Sequence, residues 1–314
     1  MNSIIVTGGA GFIGSYIVSF LLNIGYKVTV IDNLSRGSLR NLQGNIGKEN
    51  FKILTEDVRN PNVHSILKKA KAIIHLAALV SVEESIENPI LYHDVNVNGT
   101  LNLLNGYKDS SGLFIYVSSA AVYGEPIDLP LRENSLPRPV SPYGVSKLCA
   151  EYYVKVFGEN YNFKTLILRL FNVYGPRQWR NPYAGVINKF IENIYLNKPL
   201  AIYGSGEQTR DFIHVRDAAR AIVSTLNLDL SGEVINIASG KPTRIIDLAL
   251  KVKDIAEKKL NKTISIVYSK SKPGDIMHSY ASIEKSEKLL GFRPEIDLNS
   301  GLKELIDQYE LENR

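Results

Sequence analysis

A tyrosine and a lysine stand four residues apart in the segment SPYGVSK. Ser141 suits a helix N-cap and Pro142 the first helical position, so Tyr143 and Lys147 are expected on one face of a helix ending near Asn160. A phenol beside an ammonium is suited to taking and returning a proton, because the cation favours the phenolate. Ordinary helix surface has the same spacing, so other elements must support a chemical role.

Two serines at the end of a predicted strand add to this pair. Ser118 and Ser119 close the segment LFIYVSS, and open parallel sheets bind ligands at the carboxyl edge of their strands. Tyr143 follows twenty-four residues after Ser119, which allows its helix to pass the same edge. A serine in this place is also suited simply to capping a turn.

A glycine-rich turn predicts what lies opposite the tyrosine. In VTGGAGFIG, Gly8 permits a tight turn, Gly11 lets backbone N–H groups approach a pyrophosphate, and Gly14 allows close helix–sheet packing. The next strand ends in Asp32, where a carboxylate accepts the adenosine ribose hydroxyls and repels a 2′-phosphate. We therefore predict a dinucleotide site that prefers NAD to NADP, with Arg36 as a counter-argument because arginine accommodates that phosphate.

The elements that must position these residues alternate along the first half of the chain. Strands are predicted at SIIVTG, KVTVID, FKILTE, KAIIHLA, LFIYVSS and KTLILRL, with helices at Phe12–Leu22, Val63–Lys69, Pro89–Gly106 and Pro142–Asn160. Such alternation predicts an α/β fold with a Rossmann-like, doubly wound parallel sheet. After about Phe171 the rhythm changes to a smaller, interleaved C-terminal α/β substrate domain.

Domain limits follow from this change. We predict a dinucleotide-binding domain over residues 1–172, to which residues 213–239 return. Residues 173–212 and 240–314 then form the substrate domain.

Composition restricts the class of protein. The 314 residues are 44% apolar and 22% charged, as in a soluble globular enzyme. The N-terminus shows no secretory pattern and the single cysteine, Cys149, fits a reducing compartment, so a cytoplasmic location without a membrane partner is expected. The net charge of +5 comes from dispersed lysines, which does not favour nucleic acid. No His/Cys/Asp cluster has metal-ligand spacing, so no metal is expected.

Many motifs in order then resemble one superfamily. TGGAGFIG, HLAA, VNVNGT, SSAAVYG and SPYGVSK resemble the extended short-chain dehydrogenase/reductase superfamily over nearly the full chain. RLFNVYGPRQ, RDFIHVRDAARA and KPGD narrow the resemblance to nucleotide-sugar enzymes, and the chain looks most like UDP-glucose (UDP-galactose) 4-epimerases.

The resemblance implies roles for the residues above. Tyr143 would be the acid/base, Lys147 its partner and a ligand of the nicotinamide ribose, and Ser119 the group that binds the reacting hydroxyl. The implied reaction is epimerisation at C4 of a UDP-hexose through a 4-keto intermediate, with NAD retained. Related 4,6-dehydratases place an acidic pair after this serine, where the chain has Ala120 and Ala121, so dehydration is disfavoured. A 4-keto-sugar reductase and a non-catalytic dinucleotide sensor remain as alternatives.

The resemblance also implies the remaining site residues. Those expected at the cofactor are Gly8, Gly11, Phe12, Ile13, Gly14, Asp32, Asn33, Leu34, Ser35, Arg36, Gly37, Asp57, Val58, Leu76, Ala77, Ala78, Leu79, Asn96, Ser118, Tyr143, Lys147 and Phe171. Those expected at the UDP-sugar are Ser119, Tyr143, Asn172, Val186, Tyr203, Arg210, Lys272 and Asp275.

Three positions depart from the family pattern. Lys272 stands where close relatives have arginine, Val80 replaces a lysine that contacts the cofactor, and Ser279 replaces a bulky aromatic. A small residue at 279 implies room for N-acetylated UDP-hexosamines. A homodimer through Pro89–Gly106 and Pro142–Asn160 is also expected.

Overall fold

The computed structural model describes residues 3–161, 163–178, 185–271 and 276–312. The strands are β1 (Ser3–Thr7), β2 (Lys27–Ile31), β3 (Phe51–Leu54), β4 (Ala72–His75), β5 (Leu113–Ser119), β6 (Lys164–Leu170), β7 (Asn172–Tyr174), β8 (Leu200–Tyr203), β9 (Thr209–His214), β10 (Val234–Ile237), β11 (Pro242–Arg244), β12 (Ile266–Ser269) and β13 (His278–Ser279). The α-helices are α1 (Phe12–Asn23), α2 (His64–Leu67), α3 (Val82–Glu87), α4 (Pro89–His93), α5 (Gly99–Tyr107), α6 (Pro142–Tyr161), α7 (Val186–Tyr195), α8 (Val215–Ser224), α9 (Ile245–Leu260), α10 (Glu284–Leu290) and α11 (Leu298–Glu312).

Seven of the strands form one parallel sheet in the order β10–β6–β5–β4–β1–β2–β3. Its central strands are apolar on both faces: Ile4, Ile5 and Val6 in β1 are all at most 2% exposed. Helices α1 and α8 cover one face, and α2, α5 and α6 cover the other. The predicted fold class is confirmed, because burial on both faces is what a βαβ-wound sheet requires.

A second layer lies beyond the carboxyl edge of this sheet. It contains a four-stranded sheet of β7, β9, β11 and β13 and a parallel pair, β8 with β12. Helices α7, α9 and α11 share a separate apolar core. The four-stranded sheet was not predicted, since its strands are short and come from four distant places in the chain. The limits of the two domains remain a prediction.

Two buried aspartates of the RDFIHVRDAARA segment hold the second layer in place. The Asp211 carboxylate accepts hydrogen bonds from the backbone N–H groups of Ser239, Gly240 and Ala281. The Asp217 carboxylate accepts from the N–H groups of residues 295 and 296, ahead of α11. Both carboxylates are at most 2% exposed, so the loops they bind are fixed to β9 and α8.

The helix predicted over Pro89–Gly106 is interrupted. Between α4 and α5 the chain forms a π-helical turn at Asp94–Asn98. The hydrophobic period does not reveal such a turn, because one widened turn changes the phase only locally. No helix in the described part of the chain is long and apolar enough to cross a bilayer.

Candidate active site

One cavity of about 1250 Å³ opens between the carboxyl edge of the large sheet and the second layer. It brings together most residues predicted for the cofactor and for the substrate. The predicted residues that line it are Gly8, Gly11, Phe12, Ile13, Gly14, Asp32, Asn33, Ser35, Arg36, Gly37, Asp57, Val58, Leu76, Ala77, Ala78, Leu79, Ser118, Ser119, Tyr143, Lys147, Phe171, Asn172, Val186, Tyr203 and Arg210. Leu34 and Asn96 do not line it, and Lys272 and Asp275 lie outside the described residues.

The glycine turn has the geometry that a pyrophosphate site needs. Gly8 has a φ of +68°, and a Cβ there would lie 2.8 Å from the backbone nitrogen of Ala77. A Cβ at Gly14 would lie 2.2 Å from the Gly8 carbonyl oxygen. Helix α1 begins at Phe12 with Gly11 as its N-cap, so the first-turn N–H groups have no capping side chain and present positive partial charge at the cavity wall.

Asp32 is held at the end of β2 by the turn it faces. Its Oδ2 accepts from the Ala10 N–H and its Oδ1 from the Leu34 N–H, both at 2.9 Å. A Cβ at Gly37 would lie 2.9 Å from both carboxylate oxygens, so glycine leaves that side open. Burial raises the pKa of Asp32, and the two backbone hydrogen bonds oppose the rise. Each oxygen retains a lone pair for a ribose hydroxyl, and these donors and acceptors fit a dinucleotide.

Arg36 is committed to an ion pair. Its guanidinium lies 2.5 Å from Glu84 Oε1 on α3, and Glu84 also accepts from the Tyr92 hydroxyl at 2.9 Å. The pair links the loop after β2 to the helix after β4 across the cofactor side of the cavity. A 2′-phosphate would have to compete with Glu84 for this arginine. Arg36 therefore gives little support for NADP over NAD.

A second ion pair lies at the wall of the cavity where adenine is expected. The Asp57 carboxylate accepts from Arg59 and, at 2.8 Å, from Asn33 Nδ2. Arg59 also contacts Asp94 in the π-helical turn at 2.5 Å. The Arg59 hydrogen bonds hold the pKa of Asp57 well below its usual range. Asp57 therefore stays anionic and its side chain shapes the wall next to Val58.

The catalytic candidates lie where β5 and α6 meet the cavity. Ser141 caps α6 as predicted, its Oγ accepting from the Gly144 N–H at 3.1 Å. Tyr143 is 8% exposed and Lys147 is 4% exposed. Ser119 Oγ accepts from the Ala121 N–H at 3.2 Å, and its hydroxyl lies near enough to the Tyr143 phenol to lower the pKa of that group. The serine thus caps a turn beside the phenol, and its role at the reacting hydroxyl stays a prediction.

The lysine ammonium is buried against the sheet. Lys147 Nζ donates to the Val117 carbonyl at 2.7 Å and lies 4.4 Å from the centre of the Tyr116 ring. Burial lowers the pKa of Lys147 to about 7, and the Glu151 carboxylate opposes this. Burial raises the pKa of Tyr143, and the Ser119 hydrogen bond opposes the rise. The phenolate expected from the sequence is not produced by the protein groups alone; it stays a prediction for the complex with a positively charged nicotinamide.

Asn96 fixes the backbone of the Leu76–Leu79 segment through hydrogen bonds to Leu79. Its Oδ1 accepts from the Leu79 N–H at 2.8 Å, and its Nδ2 donates to the Leu79 carbonyl at 3.0 Å and to Ser146 Oγ at 2.9 Å. The amide is therefore occupied by protein partners, and direct contact with the cofactor remains only a prediction.

His75 has a structural role. Its ring lies between the hydroxyls of Thr7 and Thr100, at 2.7 and 3.0 Å. Burial lowers its pKa to about 3, with the Lys147 charge as the second cause, so it is neutral at physiological pH.

The two ends of the cavity differ in charge. Among the described residues, the lining side chains from 170–279 include Lys189 and Arg210 and no carboxylate, whereas Asp32, Glu56 and Asp57 line the other end. Asn172 Nδ2 donates to the Asp211 carbonyl at 3.0 Å, which orients it beside β9. A diphosphate fits this cationic end, since guanidinium and amide groups donate directional hydrogen bonds to its oxygens.

Two helices contribute lining residues that no sequence motif predicted. Helix α3 supplies Val82, Glu83, Ile86 and Glu87, and α7 supplies Lys189, Phe190 and Asn193. The S-x-x-E pattern of Ser81 and Glu84 signals the start of α3, and Ser81 Oγ does accept from the Glu84 N–H. Lys189 and Phe190 follow Val186 at i+3 and i+4, so they share its face of α7.

A parallel sheet with a glycine turn, an acidic residue after the second strand and a Tyr/Lys/Ser group at its carboxyl edge defines a Rossmann-type enzyme of the extended short-chain dehydrogenase/reductase class. The family model for GDP-mannose 4,6 dehydratase matches residues 5–305, and the chain belongs to this family.

Relatives of known name cover the whole chain. A protein of Methanocaldococcus jannaschii named putative UDP-glucose 4-epimerase is 39% identical over 315 residues, which is 99% of each chain. The UDP-N-acetylglucosamine 4-epimerase of Methanobrevibacter ruminantium, solved with UDP-N-acetylmuramic acid, is 40% identical with a TM-score of 0.93 over 99% of both chains. The UDP-glucuronic acid 4-epimerase of Bacillus cereus, solved with UDP-glucuronic acid and NAD, is 34% identical with a TM-score of 0.91, again over 99% of both chains.

Proposed function

We propose that this protein is an NAD-dependent isomerase that inverts C4 of a UDP-hexose, interconverting UDP-glucose with UDP-galactose and also their N-acetylamino counterparts. One observation carries the proposal: a single cavity joins the glycine turn and Asp32 to Ser119, Tyr143 and Lys147 and continues to Arg210. Relatives of 39% and 40% identity bear 4-epimerase names, which supports the same reaction class.

Each residue has a defined task in this proposal. Asp32 and the first turn of α1 hold the ribose and pyrophosphate of NAD, while Asn172 and Arg210 bind the substrate diphosphate. When bound, NAD supplies the redox chemistry, taking hydride from sugar C4 and returning it. Tyr143 takes the proton of the 4-hydroxyl, with Ser119 hydrogen-bonded to both oxygens, and gives it back after the 4-keto sugar has turned over about its diphosphate link. A firm hold on the nucleotide and a loose hold on the hexose permit that rotation.

The proposal separates this chain from a dehydratase, although the family model carries a dehydratase name. Elimination of water needs an additional acid and base beside C5 and C6. The two residues after Ser119 are Ala120 and Ala121, which line the cavity and carry no titratable group. Their methyl groups transfer no protons, so the chemistry ends at epimerisation.

The breadth of substrate depends on Ser279. This residue lies on β13, opposite Arg210 of β9, and lines the cavity. We expect Ser279→Tyr to reduce kcat/KM for UDP-N-acetylhexosamines at least about tenfold, because lost room for an acyl group costs more than 1.4 kcal/mol, and to leave UDP-glucose within about threefold. Ser205→Tyr, on an exposed turn near β8, is the matched control. Equal losses for both sugar classes would show that Ser279 does not set the width of the pocket.

A second copy of the chain is the proposed partner. Ile90 of α4 and Val145, Tyr152 and Val156 of α6 are exposed by 84%, 51%, 57% and 50%. The α6 residues recur at i, i+7 and i+11, so they form one apolar stripe beside α4, suited to an isologous contact. We expect sedimentation to give a dimer and Val156→Asp to give a monomer; a monomeric wild type at micromolar concentration would contradict this.

The proposal is tested by incubating the purified protein, without added cofactor, with UDP-glucose, UDP-galactose, their N-acetylamino counterparts and UDP-glucuronate. We expect the neutral sugars to interconvert with their C4 epimers and NAD to be released on denaturation. Turnover only with added NADPH would identify a 4-keto-sugar reductase. Binding of NAD without turnover of any sugar would identify a sensor.

A further inference from the structure

Two consecutive residues of β5 contact two residues of α6 that lie one turn apart. The Val117 carbonyl accepts from Lys147 Nζ at 2.7 Å, and the Ser118 hydroxyl donates to Glu151 Oε1 at 2.5 Å. Because β5 ends at Ser119 and Tyr143 lies one turn before Lys147, these contacts set the register between the serine and the phenol.

Glu151 is charged and fully partnered at this position. It is 2% exposed, and its carboxylate binds Arg169 of β6 through two hydrogen bonds, at 3.0 Å to Nε and 2.7 Å to NH2. Arg169 in turn lies over the Tyr123 ring at 4.8 Å and donates to the Glu133 carbonyl. A buried carboxylate persists in a fold when it is paired and hydrogen-bonded in this way. The mechanism above uses neither Glu151 nor Arg169.

We propose that Glu151 is a positioning residue of the active site: through Ser118 it holds the end of β5 in register with Tyr143, and its carboxylate supports the buried Lys147 ammonium from one turn along α6. The proposal rests on the proposed function for its kinetic readout only.

The groups around Lys147 make Glu151 the source of this support. The titratable and charged groups that face Lys147 are Tyr116 from β5, His75 from β4, Tyr143 and Glu151 from α6, and Arg169 from β6 through Glu151. In the protein without cofactor His75 is neutral, burial keeps the phenols un-ionised, and Arg169 is a cation. Glu151 is therefore the anion that opposes the desolvation of the ammonium, which otherwise depresses the pKa of Lys147 further.

Two variants separate the register from the charge. Ser118→Ala removes the contact that sets the register, so we expect kcat to fall about tenfold at every pH. The Glu151–Arg169 pair is kept, so KM and the basic limb of the pH profile are expected to stay unchanged. In Glu151→Gln the anion is lost, so the basic limb moves to lower pH: relative to wild type, kcat falls about tenfold at pH 8 and recovers towards pH 6.

A third variant guards against a folding defect, because Glu151→Gln leaves Arg169 buried without its partner. Glu151→Met with Arg169→Met removes both charges and packs as an apolar pair. If Glu151 acts through its charge, the basic limb of the pH profile of this double variant lies at lower pH than in the wild type, as in Glu151→Gln. A wild-type pH profile in the folded double variant would overturn the proposal, as would a pH-independent loss in Glu151→Gln.

A second readout does not depend on turnover. The titration of Lys147 is followed by NMR of 15N-lysine-labelled protein, with Lys147→Met assigning the signal. We expect its midpoint near neutrality in the wild type and at lower pH in Glu151→Gln. If the wild type fails to convert any UDP-sugar but this displacement is seen, the proposed function fails and the inference stands. Superimposable titrations in an active enzyme refute the inference alone.

Discussion

Tyr143→Phe is expected to lower kcat for UDP-hexose epimerisation about a thousandfold while the purified protein keeps its NAD. The variant loses the oxygen that exchanges a proton with the 4-hydroxyl, but the ring and its edge-to-face contact with Tyr92, at 6.4 Å between centroids, are retained. The fold and the glycine turn are therefore undisturbed. The measurement is initial-rate kinetics together with the absorbance of nucleotide released by denaturation.

Tyr161→Phe is the matched control for this variant. Tyr161 closes the same helix and is 46% exposed, so loss of its hydroxyl is expected to change kcat by less than about twofold. Wild-type turnover in Tyr143→Phe would assign the proton transfer to another group. Loss of NAD together with activity would instead mean that the phenol holds the cofactor.

Lys147→Met is expected to remove activity and, at the same time, to stabilise the apoprotein at neutral pH. Burial lowers the pKa of Lys147 to about 7 from the value of 10.5 in an exposed lysine, so between these pH values the unfolded chain binds more protons than the folded one. The free energy of unfolding of the wild type therefore rises with pH across this window, and the cost is full below about pH 7.

Methionine fills the space without this cost, although the Val117 carbonyl loses its donor. The two effects leave a net gain on the order of 2 kcal/mol at pH 7, which disappears above about pH 10. Thermal unfolding of both apoproteins from pH 6 to pH 10 tests the prediction. A wild-type Tm that does not rise with pH, or a variant less stable at every pH, would show that the buried ammonium does not destabilise the folded protein. Lys155→Met, on the same helix but away from the site, is the control.

The large sheet was predictable because the patterns that specify its strands lie within short stretches of sequence. Its strands are short apolar runs that are buried along most of their length, except in the edge strand β3, and turn residues separate them from the helices. The first-turn chemistry of α6 was equally local: Ser141 and Pro142 are start signals that act within four residues. The glycine turn after β1 was predictable for the same reason, because its glycines lie at fixed distances from that strand.

The features that the sequence did not reveal depend on distant partners. Strand β9 is held in a sheet by β7, β11 and β13, and pairings of two or three residues leave no periodic pattern. The Arg36–Glu84 ion pair joins residues 48 apart, and it decides how Arg36 should be interpreted. The pKa of Tyr143 was predicted from its neighbour Lys147, but burial dominates, and burial is a property of the whole fold.

The central claim is that one active site removes and returns the same hydrogen at C4. Its most direct test uses UDP-glucose deuterated at C4 in ordinary water, with the isolated UDP-galactose analysed by mass spectrometry and NMR. We predict that the product carries the deuterium at C4 and that none is found in the solvent. Product with protium at C4 would contradict the account, because the hydrogen would then have left the site during turnover.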